Sequence, residues 1–220
     1  HLSNHPDCLE PDIVIVYNDL GLLYLEEGRY ENALPLLKQA KSLLRKSVGK
    51  RHPYYAIVLN NIGLVLRDKG DYSTAAEVLD EGQHIFVDIG WQEHADYGTL
   101  LNNLATVKVL QGLSNEGRRL IIKSLLMRKK QLPKGHYDFS YNFDAIALLR
   151  KNIGQLSKAA MAQEKATAIR INNVGESHPE VAQSYEKYAD ILSLMGQEQS
   201  AKKVREKIAM IHASIPLKYT

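Results

Sequence analysis

The sequence predicts an all-α fold, a solenoid of antiparallel helix pairs, on three observations. Glycines recur every 42 residues, at Gly28, Gly70, Gly112, Gly154 and Gly196. Between them the apolar residues follow a helical period. Strand-type alternation is nearly absent, and prolines number only 7 in 220 residues. Other positions keep the same interval. Seven residues before each glycine stand Gly21, Gly63, Ala105, Ala147 and Ala189, and five after it Ala33, Ala75, Gly117, Ala159 and Ala201. His52, His94, His136 and His178 repeat in step, as do Pro11, Pro53 and Pro179. A fixed period of this length is the signature of stacked repeats, and it argues for one array instead of two domains.

Taken in order, the elements are an irregular leader over 1–10, an array over 11–214 and a tail over 215–220. The units run over about 11–48, 53–90, 95–132, 137–174 and 179–214. The second unit is the most legible. Ile57, Val58, Ile62, Val65 and Leu66 mark a helix A over about 53–68. Pro53 suits its first turn, where a missing N–H costs nothing. Ala75, Val78, Leu79, Ile85 and Phe86 mark a helix B over about 72–88. Gly70 between them suits the left-handed residue past a helix end. Small residues at 63 and 75 let the two backbones approach closely. In the third unit Trp91 reads as a packing residue in the connector "DIGWQEH". Tyr24, Tyr30 and Tyr72 read as core. One hairpin cannot bury its own apolar face, so the units must stack.

Composition narrows the function classes. The 28 basic and 25 acidic side chains leave +3, too mild a balance to imply nucleic acid or membrane by itself. No apolar run approaches the roughly 18 residues of a membrane span. Cys8 is the only cysteine, so neither an intrachain disulfide nor a cysteine metal cluster can form. A lone cysteine fits a reducing compartment, slightly favouring the cytoplasm over the periplasm. A chain that starts at His1 reads as a mature form or a piece of a longer protein. No GxxxxGK[ST] or GxGxxG occurs, so the recurrent glycines are turn and packing residues. The period-matched histidines do not read as a metal site, since neighbouring repeats stack about 10 Å apart and zinc ligands must converge at about 2 Å; His52 and His178 read as residues at helix A starts. His5 and Cys8 lie close in the leader but lack the orienting third group of a nucleophile pair. Residues 118–134, "RRLIIKSLLMRKKQLPK", hold seven basic side chains and no acid. Without interleaved aromatics, the run reads as a solvated outer face and not as a nucleic-acid surface.

Position by position, Tyr17, Leu20, Gly21, Tyr24, Gly28, Tyr30, Ala33, Leu37 and Ala40 resemble the tetratricopeptide repeat (TPR) consensus. Leu59, Ile62, Gly63, Gly70, Tyr72, Ala75 and Leu79 repeat the match, with Gly82 substituted. The 42-residue interval, with "GKRHP" and "GESHP" in the connectors, is similar to the kinesin-light-chain type of repeat. Units three to five drift: Ser114 and Leu156 replace the tyrosine, and Glu186–Lys187 replaces Asn–Asn. The fifth unit resembles the terminal repeat of many bacterial TPR proteins, which places the end of the array there.

The resemblance implies five TPR units in a right-handed superhelix, with the A helices lining a concave groove for a peptide or partner helix. It implies no enzyme activity, cofactor or metal. Groove positions carried over from the pattern are Asn18, Asn60, Asn102, Asp144 and Glu186. Their flanks are Ile15, Leu22 and Leu25, then Ile57, Leu64 and Arg67, then Thr99, Thr106 and Val109. Tyr141, Leu148 and Lys151, then Gln183, Asp190 and Ser193, complete the face. A carboxamide both donates and accepts, so the asparagine row suits the backbone of an extended peptide. Alternatively these asparagines bond between neighbouring A helices, as Asn61 and Asn103 are placed to do. Leu22 and Leu64 either grip apolar side chains of a partner or pack on a preceding repeat. Arg67 and Lys151 suit acidic residues of the partner, while the basic clamp for a terminal carboxylate is missing. The expected function is therefore a non-catalytic protein–protein interaction module. Two alternatives stand beside it: a regulatory or sensor array contacting an attached effector domain, and weak self-association through end helices.

Overall fold

The computed structural model describes residues 10–214. They form helices joined by short turns and divide between Gln111 and Gly112 into two compact units. The first holds α1 (Glu10–Glu26), α2 (Tyr30–Ser47), α3 (Pro53–Asp68), α4 (Tyr72–Asp88) and α5 (Ala95–Leu110). The second holds α6 (Ser114–Gln131), α7 (Phe139–Asn152), α8 (Leu156–Val174), α9 (Pro179–Leu194) and α10 (Glu198–Ser214). Helices A and B of the second repeat, expected over 53–68 and 72–88, are α3 and α4. The leader, apart from Glu10 in α1, the tail, and the His5–Cys8 pair lie outside the described residues.

Packing follows the period. In the first unit α1 pairs with α2 and α3 with α4, while α2 lies against α3 and α4 against α5. The A helices also touch directly, with α3 meeting both α1 and α5. In the second unit each helix packs on the next, from α6 to α10. What sets the pairing distance is a leucine lying on bare backbone. A Cβ added to Gly63 would stand 2.6 Å from Leu79 Cγ, and one on Gly21 would stand 2.8 Å from Leu37 Cγ. Leu37, Leu79, Ala33 and Ala75 are fully buried at these crossings. Gly82 plays the same part between repeats, where Leu100 fills the space a side chain would take.

The helix ends are written into the sequence. Gly70 adopts φ +84°, and its N–H and that of Asp71 donate to the carbonyls of Arg67 and Leu66. That reversal closes α3, and an L side chain would be strained there although the surrounding space is open. Three of the periodic histidines cap A helices. Nδ1 of His52, His94, His136 and His178 accepts from the backbone N–H two residues on, at 3.2–3.3 Å. At α3, α5 and α9 this satisfies an orphan donor of the first turn, whereas His136 closes the turn that precedes α7. Trp91 stacks on His94 and Phe86, at 4.2 and 6.1 Å between centroids, and so packs the third repeat's connector. Tyr24, Tyr30 and Tyr72 are half-buried, short of the expected core position. The Arg29 guanidinium covers the Tyr24 ring at 4.4 Å.

No described helix is long and apolar enough to cross a membrane. Among the described residues no three His, Cys, Asp or Glu side chains converge on a metal position.

Two substitutions test this architecture. Gly63→Leu, which drives a side chain into Leu79, is expected to cost at least about 1–3 kcal/mol in urea unfolding. His178→Ala, which strips the α9 cap, is expected to cost about 1 kcal/mol in the same measurement.

Candidate functional site

The A helices α1, α3 and α5 carry the expected binding positions of the first unit, and their asparagines are already bonded to one another. Asn103 Nδ2 donates to Asn60 Oδ1 at 2.9 Å, and Asn60 Nδ2 to Asn61 Oδ1 at 3.2 Å. Asn61 Nδ2 donates to Asn18 Oδ1 at 2.8 Å, and Asn18 Nδ2 to Asp19 Oδ1 at 3.1 Å. The result is a carboxamide relay across three helices. Each amide both donates and accepts, so its members polarise one another, and the relay holds neighbouring A helices in register. Asn60 is 9% exposed and Asn102 4%; Asn18 is half-buried.

Around the relay, Leu22, Leu25, Ile57, Leu64, Thr99 and Thr106 are all half-buried, so each keeps part of its surface open. Thr106 returns its hydroxyl to the Asn102 carbonyl at 3.0 Å. Arg67 Nε holds Asp68 Oδ1 at 2.6 Å, so its charge is already matched within the helix. Val109 is 1% exposed and belongs to the core, not to the open face expected of it.

In the second unit the relay position is taken by ions. Lys187 Nζ donates to Asp144 Oδ2 at 2.7 Å, across the same 43-residue step that separates Asn61 from Asn18. Arg170 grips both Asp144 oxygens, at 2.9 and 3.0 Å, and Gln163 Nε2 adds a bond to Oδ1 at 3.0 Å. Four donors fill the acceptor capacity of a carboxylate. Burial pushes the Asp144 carboxyl up, but Lys187 and Arg170 together outweigh it and hold the group below its ordinary range. Tyr141 lies exposed with the Arg170 guanidinium 5.5 Å from its ring. Lys151 is exposed and, with Asp190, Ser193 and Leu194, lines an open cavity of about 440 Å³. Glu186 and Gln183 are exposed on α9.

Arg128 corrects the reading of 118–134 as a wholly solvated face. It is 2% exposed and donates to Asn142 Oδ1 at 2.7 Å and to the Asp138 carbonyl at 2.8 Å. Arg118, Arg119, Lys123, Lys129, Lys130 and Lys134 are exposed as expected. Arg170 stands one period after Arg128 and repeats the arrangement with Ser184 and Glu180, at 3.2 and 3.6 Å. The same register holds buried Leu44 and Phe86 in the first unit.

The repeat seen in this packing is matched by sequence and by structure. Residues 12–83 match the family model described as tetratricopeptide repeat. That match spans the first two repeats, α1 to α4. Solved structures extend the likeness in fold to nearly the whole length. A Podosopora anserina putative kinesin light chain with nearly identical TPR-like repeats is 21% identical, with TM-score 0.62, covering 98% of this chain and 100% of that one. BtubC (BKLC) from P. vanneervenii is 18% identical, with TM-score 0.69 over 96% of this chain and 84% of that one. The Rap conjugation gene regulator of plasmid pLS20, in complex with the Phr* peptide, is 13% identical with TM-score 0.75. It covers 96% of this chain, which in turn spans 59% of that one. At these identities the structures establish the TPR solenoid fold, the class expected from the 42-residue period. No curated protein matches the chain.

Within the TPR framework, the paired buried arginines are the feature that reading the repeats one consensus position at a time passes over. Their signal was present: Arg128 and Arg170 stand 42 apart, as do Asp138 and Glu180. Asp144 supplies a pH test. Its carboxyl titrates lower in the folded chain than in the unfolded one, so its contribution is complete above about pH 4 and fades as pH falls through the folded value. Asp144→Ala, which leaves the buried Arg170 with only the half-buried Glu180 as counter-charge, is expected to cost about 3 kcal/mol at neutral pH. Circular dichroism in urea at stepped pH should show that cost shrinking below pH 4; a cost independent of pH contradicts the assignment.

Proposed function

We propose that the chain is a non-catalytic protein-interaction module, and that it binds an extended segment of a partner along the α1–α3–α5 face. The TPR fold commonly serves protein interaction, and the related Rap structure is a complex with a peptide. The observation that carries the proposal is the division of labour on that face. The buried carboxamides hold the wall, while Leu22, Leu25, Ile57 and Leu64 keep partly open apolar surface beside them. Open apolar surface next to polar groups on a rigid scaffold is what a peptide side chain needs. Thr99, Thr106 and the Asn18 amide edge that surface with hydrogen-bonding groups, and Asn18 retains one N–H beyond its bond to Asp19. Tyr141 and Lys151 are exposed on the second unit and are binding positions proposed for that unit by itself. Asp144 and Asn60 act on the partner indirectly, by fixing the helices that bear the contacts, and Asn102 is buried beneath the open surface.

Leu22→Glu with Leu64→Glu places two carboxylates on the open surface without touching the relay. Screening the chain against an array of extended peptides identifies a binder. The double variant is expected to bind that peptide at least tenfold more weakly with its helical content and melting temperature retained. Equal binding by a folded variant overturns the proposed face.

A further inference from the structure

The charge of the second unit is carried by one helix of each pair. Its B helices α6, α8 and α10 together hold 13 basic and 4 acidic side chains, whereas its A helices α7 and α9 hold 3 and 4. Arg128 and Arg170 are buried, and the other 11 cations of the B helices are exposed. In the first unit, by contrast, α4 holds four acids and neither lysine nor arginine. The period aligns these cations. Lys123, Lys165 and Lys207 stand at one register of the three helices, where the first unit holds Gln39 and Glu81. The Lys165 ammonium lies 5.8 Å from the Phe143 ring, and that of Lys207 lies 5.4 Å from the Tyr185 ring. A ring face orients a cation without cancelling its charge.

Apolar side chains stand among the cations. Ile122, Leu126, Met161 and Met210 are 47, 56, 59 and 73% exposed. One period to either side of Ile122 stand Asp80 and Glu164, and the register of Leu126 and Met210 holds Ser42 and His84 in the first unit. At 3.6 residues per turn, Ile122 and Leu126 share about 140° of the α6 circumference with all five of its exposed cations.

We infer that the outer face of α6, α8 and α10 docks on an anionic lipid surface, as a peripheral contact and not an insertion. Charge complementarity chooses an acidic partner, and the layout of the face chooses a bilayer. The lysine row crosses three helices, so a single acidic helix would have to offer carboxylates at the spacing of the repeats. A headgroup layer offers negative charge at any spacing. Leu126, Met161 and Met210 project from the face and reach the boundary of headgroups and acyl chains, while the lysines keep their ammonium groups at the headgroups. Single-stranded nucleic acid calls for aromatic side chains that stack bases, and these three helices contain no Phe, Tyr or Trp.

The test is sedimentation of the full chain with phosphatidylcholine vesicles, with and without about 30% phosphatidylserine, at low salt. Binding is expected only with the anionic lipid, and it should weaken at least tenfold when salt is raised to about 0.5 M. Lys123→Glu, Lys165→Glu and Lys207→Glu together are expected to weaken it at least tenfold, with helical content retained. Arg119→Glu with Lys130→Glu, which leaves both ring contacts in place, should lose about threefold or more. Leu126→Ser with Met161→Ser and Met210→Ser should lose a similar factor at unchanged charge. No binding to the anionic vesicles overturns the inference, as does equal binding by the folded lysine variant or by the serine variant. Lys38→Glu, Arg45→Glu and Lys46→Glu on α2 control for net charge, and a loss as large as that of the lysine variant also overturns it. So does tighter capture of polyglutamate or duplex DNA than of vesicles, which assigns the face to an acidic protein or a nucleic acid.

Discussion

Leu79 resting on the bare backbone of Gly63 is the contact on which the arrangement depends. A helix pair packed at that distance leaves no room even for a methyl on the A helix, and Ala105, Ala147 and Ala189 show how far the later repeats relax it. Close approach within the pair turns the remaining apolar residues outward, along the edges of both helices. Those edges are buried only by the next pair, as Gly82 under Leu100 illustrates. The stacking thus follows from the hairpin's own geometry, and a repeat unit has little reason to persist alone.

Stacking by apolar contact is tolerant of sliding, so register needs directional bonds. The first unit supplies them with neutral carboxamides running from Asn103 to Asn18. The second supplies them with Asp144, Lys187 and Arg170 at the corresponding step. The two solutions differ physically. An amide relay is indifferent to acid and salt, whereas a buried carboxylate held by two cations depends on its own ionisation. Arg128 and Arg170 extend the contrast, replacing the apolar Leu44 and Phe86 contacts of the first unit with guanidinium groups anchored near the start of the following A helix.

The same economy of parts shapes the surfaces available to partners. Asn60, committed to register, is buried, while Leu22 and Leu64 keep open area. At α1 the pattern is incomplete in a specific way, since Val16 presents to solvent the register that Val58 and Leu100 bury.

The 42-residue period, by itself, determined the all-α class, the helix spans at 53–68 and 72–88, the turn at Gly70 and the close approach at Gly63, because these are local or nearest-neighbour properties of the chain. It also placed His52 and His178 at helix starts, where the structure finds their Nδ1 atoms accepting backbone bonds. The asparagine row was legible as a row, but its use was not: an amide reads the same whether it points at a ligand or at the next helix. Arg128 looked like one of seven solvated cations until α7 folded beside it and offered Asn142 and the Asp138 carbonyl. Tertiary structure alone decided those cases, because the energy of burying a polar or charged group depends on partners that lie a whole repeat away and on the atoms they present.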